Sequence, residues 1–530
     1  MNSAWSFRRQ KDAIVVPVET AVALGESSSA AKQPRYDADK ARGVYPLYIV
    51  ANVTPRIAMV VVLIVLTRLL PLAEYGLFAL VVTTGEILEM ASGNWIRLYL
   101  LRTEAGRAKL RPRRLGRAVV LSAGATLAGL ATSMLVIPFI SDGRTAEMTA
   151  AVIVYIMAFA LLRTTLTLLQ LSRNHRAFAA VECGRGLANV AATVIVAIIH
   201  PHSFFPTSIA LSLTTGASAA LGLALSARYL TRPIFPRGGY FVALAFGVPY
   251  VAANTLFYTI GWFDRFVLNY FHGPATVAVY VAAYAIARQP VDLFLGALNS
   301  FTFPLLVHAY ANGGAQKAGP LQSGLLTTMT LLGIGIVAGL SLLAEPLAAL
   351  LFPPVYRADA AVLVPWIVTA TFILSIKQFI FDNTLHATQQ NWLHLVTMIP
   401  SVIVSIGFGI LLVRNYGLFG AAINYVVVSI IAMLSAAIIS FKIFAFKIPW
   451  RDFLKIAIAA LAASAATWLG ITHFAWGMVP TLIAGATVFC GVYGIVLALQ
   501  GFSLKQLIET PWAPLANRAQ ANSTSSNRVR

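Results

Sequence analysis

Long apolar segments separated by short polar connections dominate the sequence. A window of about 19 residues, scanned for low charge, finds about fourteen of these segments. Their approximate limits are 45–67, 75–96, 117–140, 148–170, 178–199, 207–227, 240–263, 276–298, 321–343, 361–382, 392–413, 417–440, 452–472 and 478–499. About 20 apolar residues suffice for a helix to cross the hydrocarbon core of a bilayer. The pattern therefore predicts an all-α polytopic membrane protein with about 14 transmembrane helices.

The two ends of the chain lack this apolar pattern. Residues 1–43 are polar and aperiodic, which predicts a disordered cytoplasmic tail, and 501–530 are predicted to form a second cytoplasmic tail. A proline-containing turn followed by tyrosine occurs after both the first and the seventh segment, at 68–75 and 271–280, as in a weak internal repeat. The predicted organisation is a tail (1–43), a six-helix bundle (44–230), a second six-helix bundle (231–441), an additional helix pair (442–500) and a tail (501–530).

Composition supports the membrane assignment and gives an orientation. Of 530 residues, 58% are hydrophobic and 11% charged, and the mean hydropathy is +0.77. The net charge of +20 comes from lysines and arginines clustered between apolar segments, a distribution that indicates topology and argues against nucleic-acid binding. With the N-terminus inside, 28 of the 39 basic residues lie in cytoplasmic connections or tails and 4 lie outside. Both termini are therefore predicted to be cytoplasmic.

The sequence contains no motif for a catalytic centre. The two cysteines, Cys183 and Cys490, fall inside apolar segments, so neither a disulfide nor a metal site is indicated. There is no Walker loop, no Cys/His cluster and no Gly-x-Ser-x-Gly elbow. The longest predicted outside loop, 344–360, is too short for a soluble catalytic domain. We predict a protein that is not an enzyme and that has no catalytic residues and no cofactor.

Charged residues within the predicted spans are the candidates for function. A charge at bilayer depth costs several kcal/mol, so it usually meets a substrate, an ion or a partner charge. The candidates are Arg56, Glu86, Glu89, Arg163, Arg185, Asp264, Arg265, Arg288 and Asp292.

Several stretches resemble a known family of transporters. They are Arg68-Leu-Leu-Pro-Leu-Ala-Glu-Tyr-Gly-Leu-Phe-Ala-Leu80, Phe263-Asp-Arg-Phe-Val-Leu268, Val279-Tyr-Val-Ala-Ala-Tyr-Ala-Ile-Ala287, Glu345-Pro-Leu347 and the segment 351–363. Together they make the chain similar to the polysaccharide (O-antigen or exopolysaccharide repeat-unit) flippases of the MATE-like exporter superfamily. The chain departs from that pattern after the tenth span, where Asn383-Thr-Leu-His-Ala-Thr-Gln-Gln390 replaces the usual glycine or charged turn.

The resemblance implies a fold, a substrate and a location. It implies two bundles that face each other across a central cavity and open alternately to the two leaflets of a bacterial inner membrane. The implied substrate is an oligosaccharide linked to a polyprenyl diphosphate, for lipopolysaccharide or exopolysaccharide synthesis. Membrane lipids, a polysaccharide polymerase and a chain-length regulator are the implied partners.

With that substrate, each arginine in a span can be a diphosphate contact or a structural partner. The guanidinium fork binds phosphate oxygens in pairs and keeps its charge, so Arg56, Arg163, Arg185 and Arg288 are candidate substrate-binding residues. The structural alternatives are Arg56 paired with Glu86 or Glu89, Arg185 with Glu182, and Arg288 with Asp292. Arg163 has no candidate partner on its own helix.

The acidic candidates are assigned to ion coupling or gating. Glu86 and Glu89 share one helical face with Arg97, which is near the cytoplasmic end of its span and is free to snorkel. The ion-coupling or gating candidates are Glu86, Glu89, Asp264, Arg265 and Asp292. Asp264 and Arg265, at the outer end of the seventh span, form either a structural pair or part of an outer gate. Lys377 and Asp382 are expected to snorkel at the end of the tenth span.

The sequence thus favours a lipid-linked oligosaccharide flippase. Two alternatives remain: an ion-coupled exporter of small molecules, and a membrane subunit of a polysaccharide assembly complex that transports nothing.

Overall fold

The computed structural model describes residues 38–104, 109–388, 390, 392–473 and 477–502, and every regular element in them is a helix. The N-terminal half contains α1 (Ala38–Leu69), α2 (Leu72–Glu104), α3 (Pro112–Val136), α4 (Thr145–Leu171), α5 (His175–Ile199) and α6 (Phe204–Ser226). The rest contains α7 (Tyr240–His272), α8 (Pro274–Ala311), α9 (Gly314–Leu342), α10 (Ala344–Leu351), α11 (Pro354–Ile376), α12 (Asn383–Ala387), α13 (Trp392–Ile443), α14 (Trp450–His473) and α15 (Met478–Leu499). A π-helix, Lys377–Asp382, joins α11 to α12.

The all-helical membrane fold predicted from the apolar pattern is confirmed. In the described part of the chain, eleven helices are long and apolar enough to cross a membrane, and α7 makes twelve if its two parts, bent by 54°, form one span. The 52 residues of α13 would measure about 78 Å as one helix, more than twice the thickness of a hydrocarbon core. Gly417, at φ 55°, interrupts α13 where the sequence separates two spans. The count of about 14 stays a prediction.

Several helices extend beyond the predicted apolar segments. The predicted second span stops at 96, whereas α2 continues to Glu104; the predicted seventh span stops at 263, whereas α7 continues to His272. Residues 38–43, assigned to the N-terminal tail, belong to α1, while 1–37 and 503–530 lie outside the described residues. Hydropathy marks the part of a helix within the hydrocarbon, and the helical hydrogen bonds continue past it.

The helices from α2 onwards pack in two groups that meet along α2. In the first group, α6 packs on α4 and α5, and α2 packs on α3 and α4. In the second, α7 packs along α13, and α11 packs on α8, α9 and α13. Contacts between the groups run mainly from α2 to α7 and α8. The pair α14 and α15 packs against α9 and α10. We refer to α1–α6 and α7–α13 as the two halves, in line with the predicted bundles.

The halves contact each other closely at the end predicted to lie outside. Gly76 of α2 lies against Pro274 of α8, and a Cβ atom built on Gly76 would overlap the carbonyl of Pro274. One residue earlier, the buried ring of Tyr75 packs edge-on against Tyr356 of α11, with 6.4 Å between ring centroids. The two halves are therefore closed against each other at these residues.

Replacement of Gly76 by valine should prevent this closure. The side chain would displace the backbone of Pro274, and backbone gives way less readily than a flexible side chain. For the polysaccharide export that the resemblance implies, we expect folded protein in the membrane with activity reduced at least tenfold, measured as polymer at the cell surface. Gly124→Val is the control, since a Cβ there meets nothing within 4 Å. Normal export by Gly76→Val would show that transport does not require this contact.

Candidate functional site

A chain of four charges lies between α2 and α4. Arg163 of α4 donates to both Glu86 and Glu89 of α2, and Arg97, two turns after Glu89, donates to that same carboxylate. Tyr155 donates to the other end of the chain, Glu86 Oε2, at 3.1 Å. Glu89 is 1% exposed, whereas the side chains of Glu86 and Arg163 are 22% and 20% exposed. The series of charges is therefore buried at the end formed by Glu89 and Arg97 and accessible at the end formed by Glu86.

This arrangement corrects two expectations from the sequence and supplies the partners of Arg163. Glu86 and Glu89 pair with Arg163 and Arg97, so their pairing with Arg56 was wrong. Arg163, without a partner on its own helix, has two on α2, since α2 and α4 pack together. Arg97 does not snorkel, because α2 continues for seven residues beyond it and the side chain is buried.

Arg56 differs from the other three predicted substrate-binding arginines because it forms no ion pair with the described residues. Its side chain is exposed, and it follows Pro55, which lies against Gly186 of α5. A Cβ atom on Gly186 would come within 3.3 Å of Pro55 Cα, so Arg56 and Arg185 are the sequence neighbours of two residues that touch. Arg185 pairs with Glu182 through its Nη2 at 2.5 Å, as the spacing of three residues predicts.

The second half presents a charged pair on α8. Arg288 Nε donates to Asp292 Oδ2 at 2.7 Å, which confirms the predicted pairing of residues one turn apart. Arg288 also donates to the hydroxyl of Tyr284, one turn earlier. The side chains of Arg288 and Asp292 remain 26% and 34% exposed. Exposed charges in a membrane-spanning helix face water or a polar ligand in preference to lipid.

Asp264 and Arg265 are deeper than the sequence suggested. Because α7 continues to His272, both lie within the helix and are at least 94% buried. Asp264 accepts a hydrogen bond from Asn424 of α13 at 2.7 Å. Arg265 donates to Thr83 of α2 at 2.9 Å, so this bond joins the two halves. Asp264 thus binds within its own half, whereas Arg265 binds to the other half.

Lys377 and Asp382 form a second buried pair, and the expectation that they snorkel was wrong. Both side chains are at most 1% exposed, and Lys377 Nζ lies 2.7 Å from Asp382 Oδ2. His394 Nδ1 lies 3.3 Å from the other oxygen of Asp382. The π-helix widens the turn here and α12 follows it, so the two residues lie in the protein interior.

These ion pairs reduce the unpaired positive charge within the spans that could bind an anion. Arg163, Arg185 and Arg288 are each balanced by an acidic side chain, so among the four predicted substrate-binding arginines only Arg56 lacks a partner in the described structure. An anionic group would have to displace Glu86 from Arg163 or Asp292 from Arg288. No group of three His, Cys, Asp or Glu side chains among the described residues is placed to hold a metal ion.

An apolar groove of about 1110 Å³ lies between α8, α9 and α15. Pro290, Phe294 and Leu298 line it from α8, Gly335 and Gly339 from α9, and Phe489, Tyr493 and Gly494 from α15. Pro290 and Phe294 alternate with Arg288 and Asp292 along α8, so the groove and the charged pair occupy different faces of one helix. The groove was not predicted from the sequence.

Sequence reasoning also missed the neutral residues that hold the charges. Tyr284 is four residues before Arg288, and this spacing could have identified it. Thr83 and Asn424 are 182 and 160 residues from the side chains that they bind, and no local pattern marks them.

The family follows from a comparison of sequences. A model of the family described as polysaccharide biosynthesis protein matches residues 45–309, which is half of the chain. The chain belongs to this family. The resemblance to polysaccharide flippases is thereby confirmed, while a search among curated proteins found no match.

Solved structures confirm the fold of this family member. The lipid II flippase MurJ, in an inward closed conformation, is 14% identical, with a TM-score of 0.69 over 86% of this chain and 98% of that one. A multidrug resistance MATE family transporter in an inward-facing conformation is 15% identical, with a TM-score of 0.50 over 77% and 98%. The Vibrio cholerae MATE transporter VcmN is 14% identical, with a TM-score of 0.54 over 76% and 97%. At these identities the matches establish a MATE-like fold.

Proposed function

We propose that this protein moves an oligosaccharide linked to a polyprenyl diphosphate across the bacterial inner membrane by alternating access. The observation that carries the proposal is the pairing, on α8, of an apolar groove with a partly exposed arginine, Arg288. The groove of about 1110 Å³ exceeds the roughly 300–1,000 Å³ of pockets for drug-sized ligands, which suits a long apolar chain. The membership in a polysaccharide biosynthesis family supports a sugar-linked substrate.

The substrate's three parts have distinct binding surfaces in this proposal. The polyprenyl chain lies in the groove, one helix width, about 10 Å, from the charged face of α8. The diphosphate binds Arg56. It also replaces Asp292 as the partner of Arg288, and Glu86 as the partner of Arg163. Each exchange gives a pair with two arrangements, and a ligand that binds one arrangement better shifts the population toward it. The sugars occupy the space between the halves.

The closed outer end and the interhalf bond fit an alternating-access cycle. Opening toward the outside would separate Gly76 from Pro274 and break the bond from Arg265 to Thr83. Arg265 thus acts as an outer gate in this proposal, while Asp264 stays bound to Asn424 within its own half. An exporter of small molecules, the alternative that shares this fold, would not depend on the groove.

Filling the groove should therefore stop export. Gly494 lines the groove and a Cβ there meets nothing within 4 Å, so Gly494→Trp places an indole in the groove without a clash at the backbone. We expect at least a tenfold loss of surface polysaccharide at an unchanged protein level. Gly491→Trp is the matched control, because Gly491 is on the same helix, is equally unobstructed and does not line the groove. Equal export by the two variants would argue against a polyprenyl chain in the groove.

A further inference from the structure

The connection between the two halves is held against the start of α3 by hydrogen bonds. Leu110 N donates to Tyr229 O at 3.3 Å, Ile234 N donates to Pro112 O at 3.0 Å, and the Thr231 hydroxyl donates to Leu110 O at 3.0 Å. Residues 109–117 and 227–241 thus form one continuous surface at the ends of α3, α6 and α7. These two segments are distant in sequence, so the surface exists only in the folded protein.

This surface is strongly basic. The basic patch, as we call it, consists of five exposed arginines: Arg111, Arg113, Arg228, Arg232 and Arg237. None of the five forms an ion pair with a described residue, and neither segment contains Asp or Glu. The nearby carboxylate of Glu104 is fully buried and accepts a hydrogen bond from the backbone N–H of Arg111 at 3.2 Å. Positive charge is therefore concentrated here without local compensation.

Large apolar side chains are interleaved with the arginines. Ile234 is 52% exposed, Phe235 59% and Phe241 83%, and all three lie within or just after the connection that carries Arg232 and Arg237. Exposed aromatic and aliphatic side chains beside arginines, at the ends of membrane helices, are typical of the boundary between headgroups and acyl chains. A surface for an acidic soluble protein would not need the phenyl rings of Phe235 and Phe241 in this position.

We propose that the basic patch binds the headgroups of anionic phospholipids. The guanidinium groups bind the phosphodiesters, while Ile234, Phe235 and Phe241 enter the acyl boundary. Because residues 227–239 connect the two halves, bound lipid anchors this connection at the membrane surface while the halves rearrange. This site is independent of the proposed substrate, because none of its residues belongs to the groove or to the charged pairs.

The test measures binding of fluorescent phosphatidylglycerol to the purified full-length protein in detergent, with phosphatidylcholine as the neutral probe. We expect tighter binding of phosphatidylglycerol, and on the order of 100-fold weaker binding in Arg113→Gln/Arg232→Gln/Arg237→Gln, since each basic residue near an anionic surface contributes roughly fivefold. The matched control, Lys442→Gln/Lys447→Gln/Arg451→Gln, removes three exposed charges from the end of α13, the following connection and the start of α14, and should bind normally. The charge-retaining Arg113→Lys/Arg232→Lys/Arg237→Lys should restore most of the binding, which separates charge loss from misfolding.

Two further measurements show whether the site binds a whole lipid or only a phosphate group. Inorganic phosphate at millimolar concentration should compete poorly, because it offers no acyl chain, and Phe235→Ser/Phe241→Ser should weaken phosphatidylglycerol binding in spite of an intact charge. Equal affinity for the two lipids, or equal loss in the patch and control triples, would overturn the proposal. So would an acidic protein that copurifies through these arginines while lipid selectivity is unchanged in the patch variant.

Discussion

Replacement of Glu89 by leucine should greatly reduce the amount of folded protein. Glu89 is 1% exposed and receives both Arg97 and Arg163, so its loss leaves Arg97 buried without an acidic partner. Removal of one partner from a buried ion pair costs about 3–5 kcal/mol, a large part of the roughly 5–15 kcal/mol that stabilises a typical folded domain. Size-exclusion chromatography and thermal unfolding of the solubilised protein should show aggregation and a lower Tm.

The double variant Glu89→Leu/Arg97→Leu should recover much of the folded fraction. It removes both charges of the drier pair and leaves Arg163 with Glu86. Glu182→Leu is the comparison at a more accessible pair, with side chains 14% and 16% exposed, and should unfold less. If Glu89→Leu is as stable as Glu182→Leu, the charges between α2 and α4 do not support the fold in the way described.

Replacement of Arg56 by alanine should abolish export and leave the protein folded. Arg56 is exposed and forms no ion pair with the described residues, so its removal leaves no buried charge behind. Arg56→Lys should rescue poorly, because an ammonium group cannot reproduce the two-point contact of a guanidinium with phosphate. Surface polysaccharide and protein level are measured together, and Arg451→Ala, at the exposed start of α14, is the control.

Arg288→Ala should give the same loss of export, with a modest loss of stability. Its partner Asp292 is 34% exposed, so water can solvate the carboxylate that remains. Normal polymer at the cell surface in both Arg56→Ala and Arg288→Ala would contradict the assignment of these residues to the diphosphate. A loss of folded protein in Arg56→Ala as large as in Glu89→Leu would make Arg56 structural.

Local spacing predicted the pairs that lie within one helix. Arg185 with Glu182, and Arg288 with Asp292, follow from residues three and four apart on one face. The partners of Arg163 could not be predicted in this way, because Glu86 and Glu89 lie 77 and 74 residues earlier and meet it only through the packing of α2 on α4. Local spacing could not predict the groove either, because Pro290 and Tyr493 line it from helices about 200 residues apart.

Hydropathy located the helices well and the depth of individual charges poorly. Every predicted span lies largely within a helix of the structure, although 117–140, 207–227 and 321–343 end beyond one. Asp264 was placed at a helix end because its predicted span stopped at 263, and Lys377 and Asp382 were expected to snorkel because they lie at the end of the predicted span 361–382. In a hydropathy scan, a charge that is neutralised inside the fold therefore looks like the end of a membrane span. Its true depth depends on tertiary contacts.

The central claim, transport of a lipid-linked oligosaccharide, is tested most directly in vesicles. The purified protein is reconstituted with a polyprenyl-diphosphate oligosaccharide, and a membrane-impermeant glycosidase is added outside. The account predicts that vesicles with the native protein expose their inner-leaflet substrate to the enzyme, while protein-free vesicles and those with Arg56→Ala or Gly494→Trp protect it. Equal protection in native and protein-free vesicles, with the protein folded and inserted, would contradict the account.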